Sequence, residues 1–155
     1  MTNKSYKPLI SLAIMASGSG SNAAAIIKYF EKNKKIKISG IWTNSSKSGI
    51  ARKKLGVPIH VFEPIKDDKY LIETWTKEKA SALILAGYLK PIPKAFIEHF
   101  NKNILNIHPS LLPKFGGKGM YGMAVHKAVI ESKEEKTGVT VHVVTDKYDE
   151  GPIVF

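Results

Sequence analysis

The chain alternates between short, nearly continuous apolar runs and longer stretches whose apolar residues recur every three or four positions. The first run, "LISLAIMA" at 9–16, is interrupted only by one serine, as expected of a parallel strand buried on both faces. "SNAAAIIKYFEK" at 21–32 follows with helical spacing, and Ser21 or Asn22 is placed to cap its start. The spacing then predicts a strand "IKISGIWT" at 36–43 and a short helix "SGIARKKLG" at 48–56 closed by Gly56. A strand "VPIHVF" at 57–62 and a helix "DDKYLIETWTKEKA" at 67–80, acidic at its start, come next. "ALILAGYL" at 82–89 is a strand, "PKAFIEHF" at 93–100 a helix opened by proline, and "NILNIH" at 103–108 another strand. "MAVHKAVIESKE" at 123–134 is helical. "TGVTVHVVT" at 137–145 alternates strictly, which suits an antiparallel strand near a sheet edge, and "GPIVF" at 151–155 reads as one more strand.

Strands alternating with helices on short connections define an α/β doubly wound, mostly parallel sheet, here as one domain over 1–155. Ligands in such sheets bind beyond the carboxyl ends of the strands. That rule selects three loops: "ASGSGSN" at 16–22, "AGYLKP" at 86–91 and "HPSLLPKFGGKG" at 108–119.

Composition narrows the chemistry. There is no cysteine, which excludes disulfides, thiolate nucleophiles and cysteine-based zinc sites and suits a reducing cytoplasm. The net charge is +11, but Arg52 is the single arginine and the lysines are scattered outside "EKNKKIK" and "RKK". Nucleic-acid recognition favours arginine, so this balance points instead to small anionic substrates. No apolar run approaches the roughly 20 residues of a membrane span. Lys4 and Lys7 ahead of the first apolar run imitate a signal peptide, yet that run feeds directly into a glycine loop and helix that the fold needs.

In "ASGSGSN", Gly18 and Gly20 let the backbone turn tightly and bare its N–H groups, while Ser21 and Asn22 add donors at a helix start that favours anions. The loop has neither the ending of a P-loop nor the third glycine of a dinucleotide fingerprint. A plain capped turn is the alternative. Of the five histidines, His60, His99 and His126 read as structural or solvent-facing, and His142 faces either the core or the site. His108 stands apart: it ends a central strand two residues after Asn106, so both side chains point to one face. An amide donor and an imidazole can then reach one developing oxyanion. Asp146 and Asp149, in the turn "VTDKYDEGPI", are both placed to orient an imidazole or simply to cap the turn, and spacing does not choose between them.

Taken together, "SGSGSN", "LAGYLKPIP", "NIHPSLLPKFGG" and "GVTVHVVTDKYDEGPI" resemble the folate-dependent formyltransferases over essentially the whole chain. The turn at 20–22 is similar to that of the branch acting on glycinamide ribonucleotide. The resemblance implies a Rossmann-like fold and formyl transfer from 10-formyltetrahydrofolate, as co-substrate, to the amine of phosphoribosylglycinamide in purine biosynthesis. It implies Asn106, His108 and Asp149 as catalytic residues, with His142 mattering less. Gly20, Ser21, Asn22, Gly87 and Pro109 would hold the ribonucleotide. Leu85, Tyr88, Leu89, Lys90, Pro91, Ile92, Val144, Thr145 and Asp146 would line the folate pocket. Lys90 stands where the family often has arginine. The resemblance calls for no metal, nucleic acid or membrane, and leaves room for a homodimer. Family members continue past "GPIVF" with a further strand and a C-terminal helix, so the C-terminal part of the fold is read as absent, and the 155-residue chain is expected to be less active and to self-associate more than an extended one. The competing readings are a formyltransferase or hydrolase with another acceptor (methionyl-tRNA, an amino sugar or water) and a non-catalytic α/β binding module.

Overall fold

The computed structural model describes residues 10–155. The possible leader residues Lys4 and Lys7, and the first residue of the opening apolar run, lie outside them. Six strands form one sheet in the order β3-β2-β1-β4-β5-β6. They are β1 (Ile10–Met15), β2 (Ile36–Thr43), β3 (Ile59–Val61), β4 (Ala82–Leu85), β5 (Ile104–His108) and β6 (Thr140–Val143). The first five are mutually parallel, and β6 runs antiparallel to β5. Both the doubly wound sheet and its antiparallel edge therefore match the expectation from hydrophobic pattern.

The continuous apolar character of β1 has a direct cause. Ala13 and Met15 join a core on one face with Trp42, Leu71, Trp75, Phe96 and Phe100, while Leu12 and Ile14 join Ala23, Ile41 and Ile50 on the other. Helix α1 (Ser21–Phe30) covers the second face; α2 (Asp68–Lys77) and α3 (Lys94–His99) cover the first. Trp75 anchors that side, edge-on to Trp42 at 5.7 Å and to Phe96 at 4.8 Å between ring centroids. Helix α4 (Met123–Glu131) buries Val125 and Val129.

Three local expectations are corrected. The helix predicted over 48–56 is a single 3-10 turn, Ile50–Arg52, because Lys53 is already extended and Gly56, at φ 73°, turns the chain without closing a helix. Neither Ser21 nor Asn22 caps α1. The position before the helix is Gly20, at φ 74°, and no side chain caps it. Only glycine suits that place, since a Cβ there would run into the Ile50 side chain. Finally, the segment 151–155 is not a full strand: it forms one isolated bridge to β6, His142 to Ile153, flanked by backbone hydrogen bonds from Val143 N–H to the Pro152 carbonyl at 2.9 Å and from Val141 N–H to the Phe155 carbonyl at 2.7 Å.

Candidate active site

The carboxyl ends of β1, β4 and β5 open onto one cavity of about 1060 Å³. Every residue expected to bind or act lines it: the turn at 20–22, the segment from Leu85 to Ile92, Asn106, His108 and Pro109, and Val144, Thr145, Asp146 and Asp149. Ser17 stitches its rim. The Ser17 N–H donates to the Gly87 carbonyl at 3.0 Å, its hydroxyl donates to Asn44 Oδ1 at 2.7 Å, and Leu89 N–H donates back to that hydroxyl at 3.2 Å. Tyr88 contributes to the lining, but its ring stacks near Phe62 at 6.2 Å in the core, where burial, and then the charge of Asp68, pushes its phenol up. Leu89 and Lys90 are exposed at the mouth.

At the centre, β5 presents Asn106 and His108 on one face. His108 is buried, and its Nε2–H donates to the Phe115 carbonyl at 2.8 Å. Its Nδ1 faces Asp149 Oδ2 at 3.5 Å. Of the two candidate aspartates the structure brings Asp149 to this imidazole; Asp146 lines the cavity without joining the cluster. Asp149 takes a left-handed backbone, φ 56°, that aspartate tolerates, and Gly117 N–H donates to its Oδ2 at 2.9 Å. Burial alone would raise the Asp149 carboxyl. The hydrogen bonds from His142 and Gly117 and the charges of His108 and His142 outweigh it, holding the group below the ordinary carboxylate range.

His142 is the residue that sequence reasoning left undecided. It sits directly across the sheet from Asn106, with Nε2 3.0 Å from Asn106 Nδ2 and 3.4 Å from Asp149 Oδ1. Burial pushes its imidazole down, but hydrogen bonds to Asp149 and to the Val143 carbonyl and the Asp149 charge leave it above the ordinary value. Its neighbour on β6, Thr140, accepts from Leu112 N–H and donates to the Ser110 carbonyl, fastening the loop that follows His108. His126, read as structural or solvent-facing, is exposed on α4 at the cavity lining, whereas His60 stacks on Trp42 and His99 lies beside Trp75. Sequence reading also missed Phe115 and Gly117, which act through backbone atoms. The three glycines within 116–119 were the available signal. Among the described residues no group of three or more histidine, aspartate or glutamate side chains is placed to hold a metal ion.

The Asn106, His108 and Asp149 cluster at the end of a central strand shares one cavity with the turn at 20–22. A family model described as formyl transferase matches residues 10–155. The chain belongs to the formyl transferase family. Within it, the chain is 43% identical to the chloroplastic phosphoribosylglycinamide formyltransferase of Vigna unguiculata, over 92% of this chain and 49% of that protein. It is 32% identical to the phosphoribosylglycinamide formyltransferase of Escherichia coli, over 94% of this chain and 70% of that protein. The chain thus spans about half the length of the plant relatives it matches. Among solved formyl transferases, glycinamide ribonucleotide transformylase 1 of Symbiobacterium toebii superposes with a TM-score of 0.83 at 28% identity, covering 95% of this chain and 71% of that one.

Proposed function

We propose that the protein transfers the formyl group of 10-formyltetrahydrofolate to the amine of phosphoribosylglycinamide in purine biosynthesis. One observation carries this reading: a single cavity joins the helix start at 20–22 to the Asn106, His108 and Asp149 cluster. The N-terminal end of α1, with Ser21 and Asn22 exposed, would hold the phosphate. Gly87 and Pro109, which line the same cavity, would flank the ribonucleotide. The lip formed by Leu85, Tyr88, Leu89, Lys90, Pro91 and Ile92, with Val144, Thr145 and Asp146 opposite, would hold the folate. Its apolar lining and the cavity's size fit a large ring system beside a second substrate.

The amine attacks the formyl carbon, forming the new C–N bond and a tetrahedral intermediate whose former carbonyl oxygen is an oxyanion, and collapse of that intermediate breaks the bond to the folate nitrogen. Asn106 would donate to the oxyanion, a contact contributing about 3 kcal/mol, and protonated His108, its ring nitrogens held by the Phe115 carbonyl and Asp149, would stabilise it by its charge. The proton lost by the amine passes by way of the His108–Asp149 pair to the leaving nitrogen, so the charge balances. No part of this scheme calls for a metal. The absence of cysteine suits a reducing cytoplasm as its setting. The experiment is direct: offer the protein 10-formyltetrahydrofolate with phosphoribosylglycinamide, methionyl-tRNA or water alone, and follow loss of the formyl group. Transfer to phosphoribosylglycinamide in preference to the others is the expected result. Equal deformylation in water alone would overturn the acceptor assignment.

A further inference from the structure

Asn106 is caught between incompatible demands. Its Nδ2 points at His142 Nε2, 3.0 Å away, and at Asp149 Oδ1, 3.4 Å away. An amide nitrogen carries two hydrogens, so both are committed and none remains for an oxyanion in the cavity. Accepting from Asn106 requires a bare Nε2 on His142, while Nδ1–H donates to the Val143 carbonyl at 3.0 Å. The same Nε2 also lies 3.4 Å from Asp149 Oδ1, a contact that is favourable only when Nε2 carries a hydrogen. No single protonation state of His142 satisfies both neighbours.

A half-turn of the Asn106 amide resolves the conflict, because its oxygen and nitrogen ends are nearly the same size. With Nε2 protonated, its one hydrogen is shared between Asp149 Oδ1 and the turned Asn106 Oδ1, replacing the hydrogen bond that Asn106 Nδ2 gave to Asp149. The Asn106 NH2 is then released toward the cavity. We propose that His142 is a positioning residue whose protonation at Nε2 turns the Asn106 amide and so frees the donor that meets the oxyanion. What the oxyanion belongs to rests on the formyl-transfer reading; the coupling between the two side chains does not.

The surroundings favour the protonated form. Asp149, from the loop after β6, is the charge in direct contact, and His108 on β5 reaches His142 only through it. His126 on α4, Lys118 before it, and Asp146 and Lys147 after β6 share the cavity. The segment opposite β6 brings the uncharged Ile153, and Glu150 is occupied by Lys147 at 3.6 Å. The upward shift of His142, won by Asp149 and the Val143 carbonyl against burial, agrees with this arrangement.

The test has two arms on the whole chain. In the first, NMR follows the Asn106 side-chain NH2 and the His142 ring nitrogens across pH in the unmodified protein. The two are expected to move with one midpoint, above the ordinary histidine value. In the second, formyl transfer is measured against pH. Turnover is expected to fall on the alkaline side with that same midpoint. His142→Gln, whose NH2 is drawn to Asp149 at every pH, should keep activity within about threefold and lose the alkaline limb, while His142→Ala loses about tenfold, less than any of the catalytic three. Asn106 signals indifferent to the His142 titration, or an alkaline limb surviving in His142→Gln, would overturn the proposal. Coupled NMR titration in a protein that transfers no formyl group would instead sink the functional reading and leave the coupling standing.

Discussion

Gly117 holds Asp149 by a backbone hydrogen bond of 2.9 Å to Oδ2, the same oxygen that faces His108 Nδ1. Two residues earlier the Phe115 carbonyl takes the other ring nitrogen of His108. The glycine loop therefore grips both members of the pair through its backbone, independent of side chains. Orientation of a reacting pair is worth several orders of magnitude in rate, and small misplacements are costly.

Asn106→Ala, His108→Ala and Asp149→Ala are each expected to leave a folded protein and to lower turnover by at least about a hundredfold. Circular dichroism checks the fold and formyl-transfer kinetics the loss. A His108→Ala variant with near-normal turnover would remove this mechanism.

Gly151 lies so close to β6 that a Cβ there would collide with the Val143 carbonyl oxygen. Backbone cannot yield as a flexible side chain does, so Gly151→Ala should displace the loop carrying Asp149. Turnover is expected to drop by about a hundredfold, with the melting temperature lowered as well. Wild-type kinetics in this variant would mean that the loop tolerates displacement.

Stability should depend on pH from both sides of this cluster. Asp149, held below its ordinary 3.8, stabilises the fold above that value and ceases to as pH falls through its lowered folded value. His142, held above its ordinary 6.5, stabilises below that value and ceases to as pH rises through its raised folded value. The two contributions coexist in full between about pH 4 and 6.5. Thermal melts across pH should show both limbs flattened in Asp149→Asn, because the upward shift of His142 depends on the same carboxylate.

Gly20 is a poor probe of the anion turn, since its replacement would disturb Ile50 whether or not a phosphate binds. Asn22 is exposed in the first turn of α1. A negative charge there suits the helix dipole but repels a phosphate. Asn22→Asp is thus expected to preserve or slightly raise stability while weakening binding of the ribonucleotide about tenfold or more and sparing folate. Calorimetry with each ligand decides it; unchanged ribonucleotide affinity would move the phosphate elsewhere.

The sheet was legible because strands buried on both faces must be apolar throughout, as β1 is, and strands buried on one must alternate, as β6 does. Asn106 and His108 were legible for the opposite reason: polar residues break an apolar strand. The helix over 48–56 misled because its residues permit helix, whereas tertiary packing of Ile50 admits only one 3-10 turn. His142 stayed ambiguous since alternation shows that residues share a face but not which face. Only the pairing register sets it opposite Asn106. The choice of Asp149 over Asp146 required the same long-range geometry, and contacts made by the backbone of Phe115 and Gly117 leave no side-chain trace.

Ser17 binds the loop after β1 to the loop after β4 through two hydrogen bonds, and a third ties it to Asn44 behind. The proposed phosphate seat and the proposed folate lip are thereby parts of one frame, and neither end can slide toward the other. An acceptor anchored by its phosphate is then judged by its reach: its amine must arrive at the formyl carbon across a gap the protein does not adjust. Selection by such a gauge needs no contact with the amine itself. Shorter and longer ribonucleotides would bind at one end and remain unreacted at the other.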